Sequence, residues 1–287
     1  MTFTTRFAPS PTGPLHLGHA YSAFLAYDMA NTRNGQFLLR IEDIDQSRAR
    51  PEWEAQIYDD LAWLGLKWPA PVWKQSEHLA DYRAAIDRLS NMGLTYPCQC
   101  NRHDIALAAS APQEGVPTYG PDGRIYPGTC QNRKMATRNA TDSIRLNMRK
   151  VIDHLAADTF EFQETAEGAT EGSAVTKSYS ADNLRTSVGD ILLARRDMGT
   201  SYHLSVVLDD AAQNITHVVR GQDLFEATKI HVVLQRLLGL PTPIYHHHRL
   251  IRDANGKRLA KRDDARAIAK FRQDGATPDD IRAMVGL

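Results

Sequence analysis

Between Phe3 and Leu66 the chain twice passes from a short apolar run into a segment of helical periodicity, and this alternation limits the fold more than any other feature. Phe3 to Ala8 alternates, carries β-formers and reads as a strand. From Leu17 the apolar positions Leu17, Tyr21, Phe24 and Leu25 recur at helical spacing to about Arg33, where Asn34-Gly35 makes a turn. The compact apolar run Phe37 to Ile41 has the character of a strand buried on both faces. Pro51 then opens a second helical segment, "EWEAQIYDDLAWLGL". Strand, helix, strand, helix at this spacing predicts a βαβ unit and an α/β fold with a parallel sheet.

The middle of the chain breaks that pattern. From about Tyr96 to Arg185 it is rich in proline and glycine ("GVPTYGPDGRIYPGTC"), then polar ("QETAEGATEGSAVTKSYSADN"). The polar stretch Glu164 to Asn183 reads as a solvated loop. Parallel-sheet character returns with "DILLARRD", "SYHLSVVLDD" and "ITHVVRG", followed by a helix through "ATKIHVVLQRLLGL". The organisation expected is a first α/β half over 1–95, an insertion over 96–185, a second half over 186–245 and a short segment over 246–287.

Charge and composition remove several function classes. Lys+Arg and Asp+Glu each number 34, so a nucleic-acid partner has to be held by local patches rather than by overall charge. The start, "MTFTTRFAPS", lacks the basic-then-apolar layout of a signal peptide. No apolar run approaches the ~20 residues of a membrane span, so no membrane partner is expected. Three cysteines, two of them in a C-x-C, do not suggest a secreted disulfide framework. These features predict a soluble cytoplasmic protein.

The stretch "RFAPSPTGPLHLGHA", Arg6 to Ala20, sits where the first strand passes into the first helix. Ligands of doubly wound sheets bind beyond the carboxyl ends of the strands, often on the N-terminus of the next helix, where free N–H groups and the dipole favour phosphate. His16 and His19 are three apart, so at a helix start both can face one side, and Gly18 permits close approach to the backbone. A Pro-rich turn with incidental histidines explains the tetrapeptide equally well on its own.

Five motifs in order settle the reading: "RFAPSPTGPLHLGHA", "LLRIEDIDQSR", "YHLSVVLDD", "VVRGQDLF" and "GKRLAKRD". Together they resemble the catalytic core of class I glutamyl-tRNA synthetases, over nearly the whole chain. His16-Leu17-Gly18-His19 matches the His-Ile-Gly-His signature. Arg258-Leu259-Ala260-Lys261-Arg262 matches the Lys-Met-Ser-Lys-Ser loop, with arginine for the first lysine and alanine for serine. The resemblance implies a Rossmann-type parallel sheet with an inserted mixed subdomain and a short helical C-terminal segment. It implies ATP-dependent activation of glutamate, with Mg2+ accompanying ATP. His16, His19 and Lys261 would be catalytic, and Gly18, Arg258 and Leu259 would join them in binding ATP. Arg6 and Arg220 would meet the glutamate carboxylates, Ala8 and Ser10 would line the same pocket, Glu42 would hold the ammonium group and Tyr202 would supply a wall. Tyr202 and Arg220 are expected on successive strands. His247 is expected to line or support the nucleotide pocket; consecutive strand residues point to opposite sides, so His246 to His248 do not read as a metal site.

Cys98, Cys100 and Cys130 suggest zinc rather than a disulfide. The fourth ligand is open on chemistry alone, His103 being the ordinary candidate, whereas the resemblance to a shortened branch of the family implies Tyr126. With four protein ligands the ion would be structural. Only 25 residues follow Arg262, so no anticodon-binding domain is expected. That shortness resembles the compact branch, in which activated glutamate goes to the queuosine base at the wobble position of tRNA(Asp). The insertion and active-site face would then receive the anticodon stem-loop. The competing expectations are a truncated enzyme charging the 3′ end of tRNA(Glu) or tRNA(Gln), and a non-catalytic sensing paralogue. A monomer is expected.

Overall fold

The computed structural model describes residues 2–108, 119–165, 173–251 and 267–287. Its first half runs β1 (Thr4–Phe7), α1 (Leu17–Asn31), β2 (Gln36–Ile41), α2 (Pro51–Trp63), β3 (Trp73–Lys74), α3 (Leu79–Asn91) and β4 (Thr95–Cys98). The middle holds α4 (Arg102–Ala108), β5 (Tyr119–Gly120), β6 (Gly123–Arg124), β7 (Ser143–Leu146), α5 (Met148–Leu155), β8 (Thr159–Thr165), β9 (Ala174–Ser180), α6 (Ala181–Asn183) and β10 (Leu192–Ala194). Then come α7 (Tyr202–Ala212), β11 (His217–Gly221), α8 (Thr228–Leu238), β12 (Ile244–His248), α9 (Ile268–Gln273) and α10 (Pro278–Val285).

Two parallel groups carry the expected α/β architecture. β1, β2 and β3 pair in parallel, with Arg6 opposite Leu38 and Arg40 opposite Trp73. β11 pairs in parallel with β12, placing Arg220 opposite His247, and β12 pairs in parallel with β8 through Tyr245 and Glu164. The groups meet where the Thr216 N–H donates to Thr4 O at 3.1 Å and the Thr4 N–H donates to Thr216 Oγ1 at 2.8 Å. β1 and β11 therefore lie side by side, with their neighbours running off in opposite directions, and the crevice beyond their carboxyl ends is where such a sheet binds ligands.

One apolar core packs α1, α2, α9 and α10 against β1 and β2 around Phe24, Leu39, Ile57 and Ile281. The other gathers α3, α5, α7 and α8 around Leu89, Phe162, Leu204 and Val233. The last helix is fixed to α1 by buried Ile281 and Val285, and Arg249 donates to Val285 O at 2.6 Å, a cation against a helix C-terminus.

Three local expectations are corrected. "SYHLSVVLDD" is helix α7, not a strand; it is buried nearly all round, and an apolar run of that length does not distinguish a buried strand from a buried helix. Tyr202 is thus the first residue of a helix capped by Ser201, and only Arg220 of the expected pair lies on a strand. "DILLARRD" contributes β10, which runs antiparallel to β7 in a sheet ordered β10-β7-β4 and does not join the parallel sheet. The polar stretch Glu164 to Asn183 is, where described, mostly ordered: β9 pairs antiparallel with β8 from Thr159–Ser180 to Thr165–Ala174, and α6 follows. β9 is an edge strand needing backbone pairing on one side only, and none of its side chains is fully buried.

Asp60, on the inner face of α2 beside Ile57 and Leu61, is fully buried, and neither carboxylate oxygen has a hydrogen-bond partner among the described residues. Burial, with Asp59 adding repulsion, pushes its pKa up to about 6. A raised carboxyl pKa means that the folded chain binds more protons than the unfolded one between about pH 4 and 6, so stability falls as pH rises through that window. Asp60→Asn is expected to raise stability by up to about 3 kcal/mol at pH 8 and by almost nothing at pH 4. Urea unfolding at the two pH values checks this; an equal effect at both would show that the charge is not the cause.

Candidate active site and metal cluster

The described motifs converge on the crevice between β1 and β11. A cavity of about 380 Å³ is lined by Arg6, Ala8, His16, Gly18, His19, Glu42, Tyr202 and Arg220, eight residues singled out in the sequence. Ser10 is exposed and lines an adjoining hollow of about 530 Å³, which shares Ala8, His19, Glu42 and Tyr202 with the first. Arg258, Leu259 and Lys261 lie outside the described residues.

His16 is the N-cap of α1. Its Nδ1 accepts the Gly18 N–H at 3.1 Å, while His19 Nδ1 accepts the His16 N–H at 3.1 Å. The rings stack with centroids 3.8 Å apart. With both Nδ1 atoms accepting, the proton of each neutral ring sits on Nε2, and that atom is the donor each ring presents. A Cβ at Gly18 would lie 3.1 Å from His16 Cε1, so the glycine leaves room for the ring to fold back over the helix start. The expectation that both rings lie on one side of the helix start holds.

Arg6 and Glu42 do not form the simple pair that their positions allow. Arg6 Nε and Nη2 donate to Asp210 Oδ1 and Oδ2 at 3.0 and 3.4 Å. Fully buried Arg40 donates through Nη2 to Asp210 Oδ1 at 2.7 Å and to Glu42 Oε1 at 3.4 Å, and through Nη1 to Gln213 Oε1 at 3.0 Å. Burial works to raise the pKa of Asp210, but Arg6 and Arg40 outweigh it and hold the carboxyl below its ordinary range. At Glu42 burial wins over the same two arginines, and its pKa is pushed up to about 7.

Arg220 is held without a carboxylate. Its Nε donates to His247 Nε2 at 3.0 Å, Nη1 to His231 Nδ1 at 3.0 Å, and Nη2 to Leu224 O at 3.2 Å and Thr228 Oγ1 at 2.6 Å. A guanidinium can only donate, so both imidazoles must accept on those atoms, which fixes their tautomers. His247 Nδ1–H then donates to Glu164 Oε2 at 2.8 Å, and His231 Nε2–H donates to His203 Nδ1 at 3.1 Å. His203 Nε2 lies 3.3 Å from Asp122 Oδ1. Burial and the nearby guanidinium lower the pKa of His231 well below the usual histidine range, and burial lowers that of His247. Both rings are therefore neutral, and the positive charge of Arg220 faces the cavity with no carboxylate within 4.0 Å among the described residues.

Arg40, Glu164, His231 and Asp210 were not found from the sequence as site residues. Their signals were present: an arginine inside the apolar run Phe37 to Ile41, a glutamate in phase with Phe160 and Phe162 along β8, and a double aspartate closing an apolar helix.

The cysteines also meet. Sγ atoms of Cys98, Cys100 and Cys130 all lie within 4.8 Å of one another. The Tyr126 hydroxyl is 3.4 Å from the sulfurs of Cys98 and Cys100, and it accepts the Cys130 N–H at 2.9 Å. His103 is exposed on α4 and is not part of the cluster. Arg145 donates to Cys98 Sγ at 3.4 Å and stacks its guanidinium 3.9 Å over the Tyr126 ring, placing positive charge beside the sulfurs. Three sulfurs this close, Cys100 and Cys130 only 3.6 Å apart, with a phenolic oxygen beside them suit a metal ion.

Residues 2–287 match the family described as tRNA synthetases class I (E and Q), catalytic domain. The chain is 59% identical over 284 residues to the glutamyl-Q tRNA(Asp) synthetase of Rhodobacter capsulatus, covering 99% of both chains. The chain belongs to the glutamyl-Q tRNA(Asp) synthetase family. A further member, from Nocardia farcinica, is 40% identical, with 98% of this chain and 82% of that one covered. Among solved structures, a glutamate tRNA ligase from Elizabethkingia meningosepticum in complex with its amino acid superposes with a TM-score of 0.74 at 25% identity. The whole chain is covered in that superposition, and it spans 61% of the ligase's length. The class I synthetase fold read from the five motifs is thereby established. Among the described residues no helix is long and apolar enough to cross a membrane.

Proposed function

We propose that this chain activates L-glutamate with ATP and transfers the glutamyl group to the queuosine base at the wobble position of tRNA(Asp). The observation that carries the reading is the convergence of Arg6, Glu42, Arg220 and the two stacked histidines on one cavity at the switch point of the sheet. The 59% identity to a named glutamyl-Q tRNA(Asp) synthetase supports the acceptor.

In the first step a glutamate carboxylate oxygen bonds to the α-phosphorus of ATP, and the bond to pyrophosphate breaks. Such a step depends on positioning and charge stabilisation more than on covalent help. His16 and His19 donate from Nε2 to the phosphates, next to the dipole of α1. Arg220, whose neighbours are neutral imidazoles, binds a glutamate carboxylate; Arg6, already paired with Asp210, adds a second cation. Tyr202 forms a wall and Glu42 takes the ammonium group. Ala8 lines the pocket and Ser10 its outer rim. Arg258, Leu259 and Lys261 meet the nucleotide and its pyrophosphate, with Mg2+ bound to ATP. In the second step the adenylate passes its acyl group to a queuosine hydroxyl and AMP leaves. Cys98, Cys100, Tyr126 and Cys130 would hold a structural zinc, which would tie β4 to the segment before β7.

The raised pKa of Glu42 gives this reading a pH signature. Below about pH 7 the free site holds Glu42 protonated, so the ammonium group loses its counter-charge. kcat/KM for glutamate is expected to fall about tenfold per pH unit from pH 7 to 5.5, the limit for one essential ionisation. Glu42→Gln is expected to flatten the profile at a low value. A wild-type profile unchanged between pH 8 and 6 would remove Glu42 from ammonium binding.

Glutamate-dependent ATP–pyrophosphate exchange, followed by transfer of labelled glutamate to tRNA(Asp) with and without queuosine, tests the whole proposal. Queuosine-dependent labelling supports it. Labelling of tRNA(Glu) alone would replace the acceptor, and an absence of exchange would leave a binding protein.

A further inference from the structure

Beside the glutamate cavity lies a larger open cleft of about 590 Å³ in the insertion, lined by Arg102, Arg124, Arg145, Arg195 and Arg196. Five guanidinium groups in one cleft stand out in a chain whose net charge is zero. Of the five, only Arg195 has a carboxylate within 4.0 Å among the described residues, Asp197 at 3.4 Å. Of the others, Arg196 donates to the Gln99 and Cys100 carbonyls and Arg124 to the Tyr119 hydroxyl at 3.0 Å, both neutral acceptors, while Arg145 is turned to the cysteine cluster, donating to Cys98 Sγ and to the Asp190 carbonyl. Two of the three aspartates on the same cleft are engaged elsewhere, Asp190 accepting from Tyr96, Gln131 and the Met148 N–H and Asp122 facing His203, while Asp197 pairs with Arg195 inside the cleft. Arg102, Arg124 and Arg196 keep a positive charge that no carboxylate among the described residues meets within 4.0 Å.

Two further observations narrow the ligand that would meet this charge. Arg124, which lines the cleft, lies 5.0 Å from the centre of the Tyr119 ring, and Tyr119 is 64% exposed, an aromatic surface beside a cation. The cleft is also continuous with the catalytic crevice, because Asp122, Leu192 and Arg195 line both it and the hollow that holds Ala8, Glu42 and Tyr202. Basic grooves with exposed aromatic rings are how proteins track single-stranded nucleic acid. A strand with one base in the catalytic crevice would have its neighbouring phosphates along this cleft.

We propose that the arginine cleft binds the single-stranded RNA flanking the base that accepts glutamate, with Arg102, Arg124 and Arg195 on its phosphates and Tyr119 under an adjoining base. This rests on the function proposed above and adds the residues by which the acceptor is held. Arg102 and Arg124 line the cleft but neither the glutamate cavity nor the hollow beside it, so their removal separates RNA binding from activation.

The test compares wild type with Arg102→Ala/Arg124→Ala and with Tyr119→Ala, using queuosine-containing tRNA(Asp) in glutamate transfer and a fluorescent anticodon hairpin in a salt titration. Melting temperature and its rise on adding ATP check that the variants fold. The double variant is expected to raise KM for tRNA at least about tenfold and to lessen the slope of log K against log salt by about 1.4, two single-strand phosphate contacts. Tyr119→Ala is expected to weaken hairpin binding at least about fivefold with the salt slope unchanged. Folded variants with wild-type KM and salt slope, while wild type labels the tRNA, would overturn the cleft and leave the function standing. Absence of labelling by wild type would overturn the function, and the cleft assignment with it.

Discussion

Arg220→Lys is expected to lower kcat/KM for glutamate about 10²–10³-fold in ATP–pyrophosphate exchange, the scale of losing a buried charge-assisted contact of about 3–4 kcal/mol. Lysine keeps the charge but has one nitrogen where arginine has three. It cannot donate at once to His247, His231, Leu224 O and Thr228 while offering a face to substrate. The two imidazoles would lose the donor that fixes their tautomers, and a buried acceptor left unpaired adds its own cost. His247→Gln, which removes one support but no substrate contact, is expected to cost less, about tenfold, mainly in KM. Steady-state kinetics over a wide glutamate range check both. Arg220→Lys with kcat/KM within threefold of wild type would remove Arg220 from carboxylate recognition.

Removing the metal is expected to have the second large effect. The chain as purified should hold one zinc, and Cys98→Ser or Cys130→Ser should hold almost none by elemental analysis. A structural zinc contributes on the order of 10 kcal/mol to the segment it closes. The described residues around the cluster have only a small apolar nucleus of their own, Tyr96, Cys98, Tyr126 and Cys130. Hydrogen exchange after chelation should show Tyr119–Arg124 and Cys130–Arg138 losing protection while α1 and α8 keep theirs. Tyr126→Phe should weaken zinc retention without abolishing it, since three sulfurs remain; His103→Ala should change nothing. A metal-free chain with the same exchange pattern would mean that the cluster is three reduced cysteines.

What could be read in the sequence was local. The paired histidines cap their own helix, so their geometry is decided within four residues. The three cysteines could be read as one candidate cluster, and they do meet in space, while Tyr126 came from likeness to a family. Pattern reading failed where burial rather than period set the structure. Helix α7 is buried on nearly every face because it lies between α3, α8 and the sheet, which erases the periodicity that marks an exposed helix. β9 failed for the opposite reason, an edge strand with almost no buried face.

By itself the sequence determined the parallel α/β plan, the paired histidines at the start of α1, the candidate metal ligands and, through five ordered motifs, the family. Tertiary structure alone decided the electrostatics of the crevice. Arg6 meets Asp210 across 204 positions, Arg40 meets the same carboxylate across 170, and Arg220 is oriented by histidines on α8 and β12 and, through one of them, by a glutamate on β8. Whether an arginine arrives neutralised or with its charge facing a substrate depends on which distant side chains the sheet order brings beside it, and no local pattern encodes that.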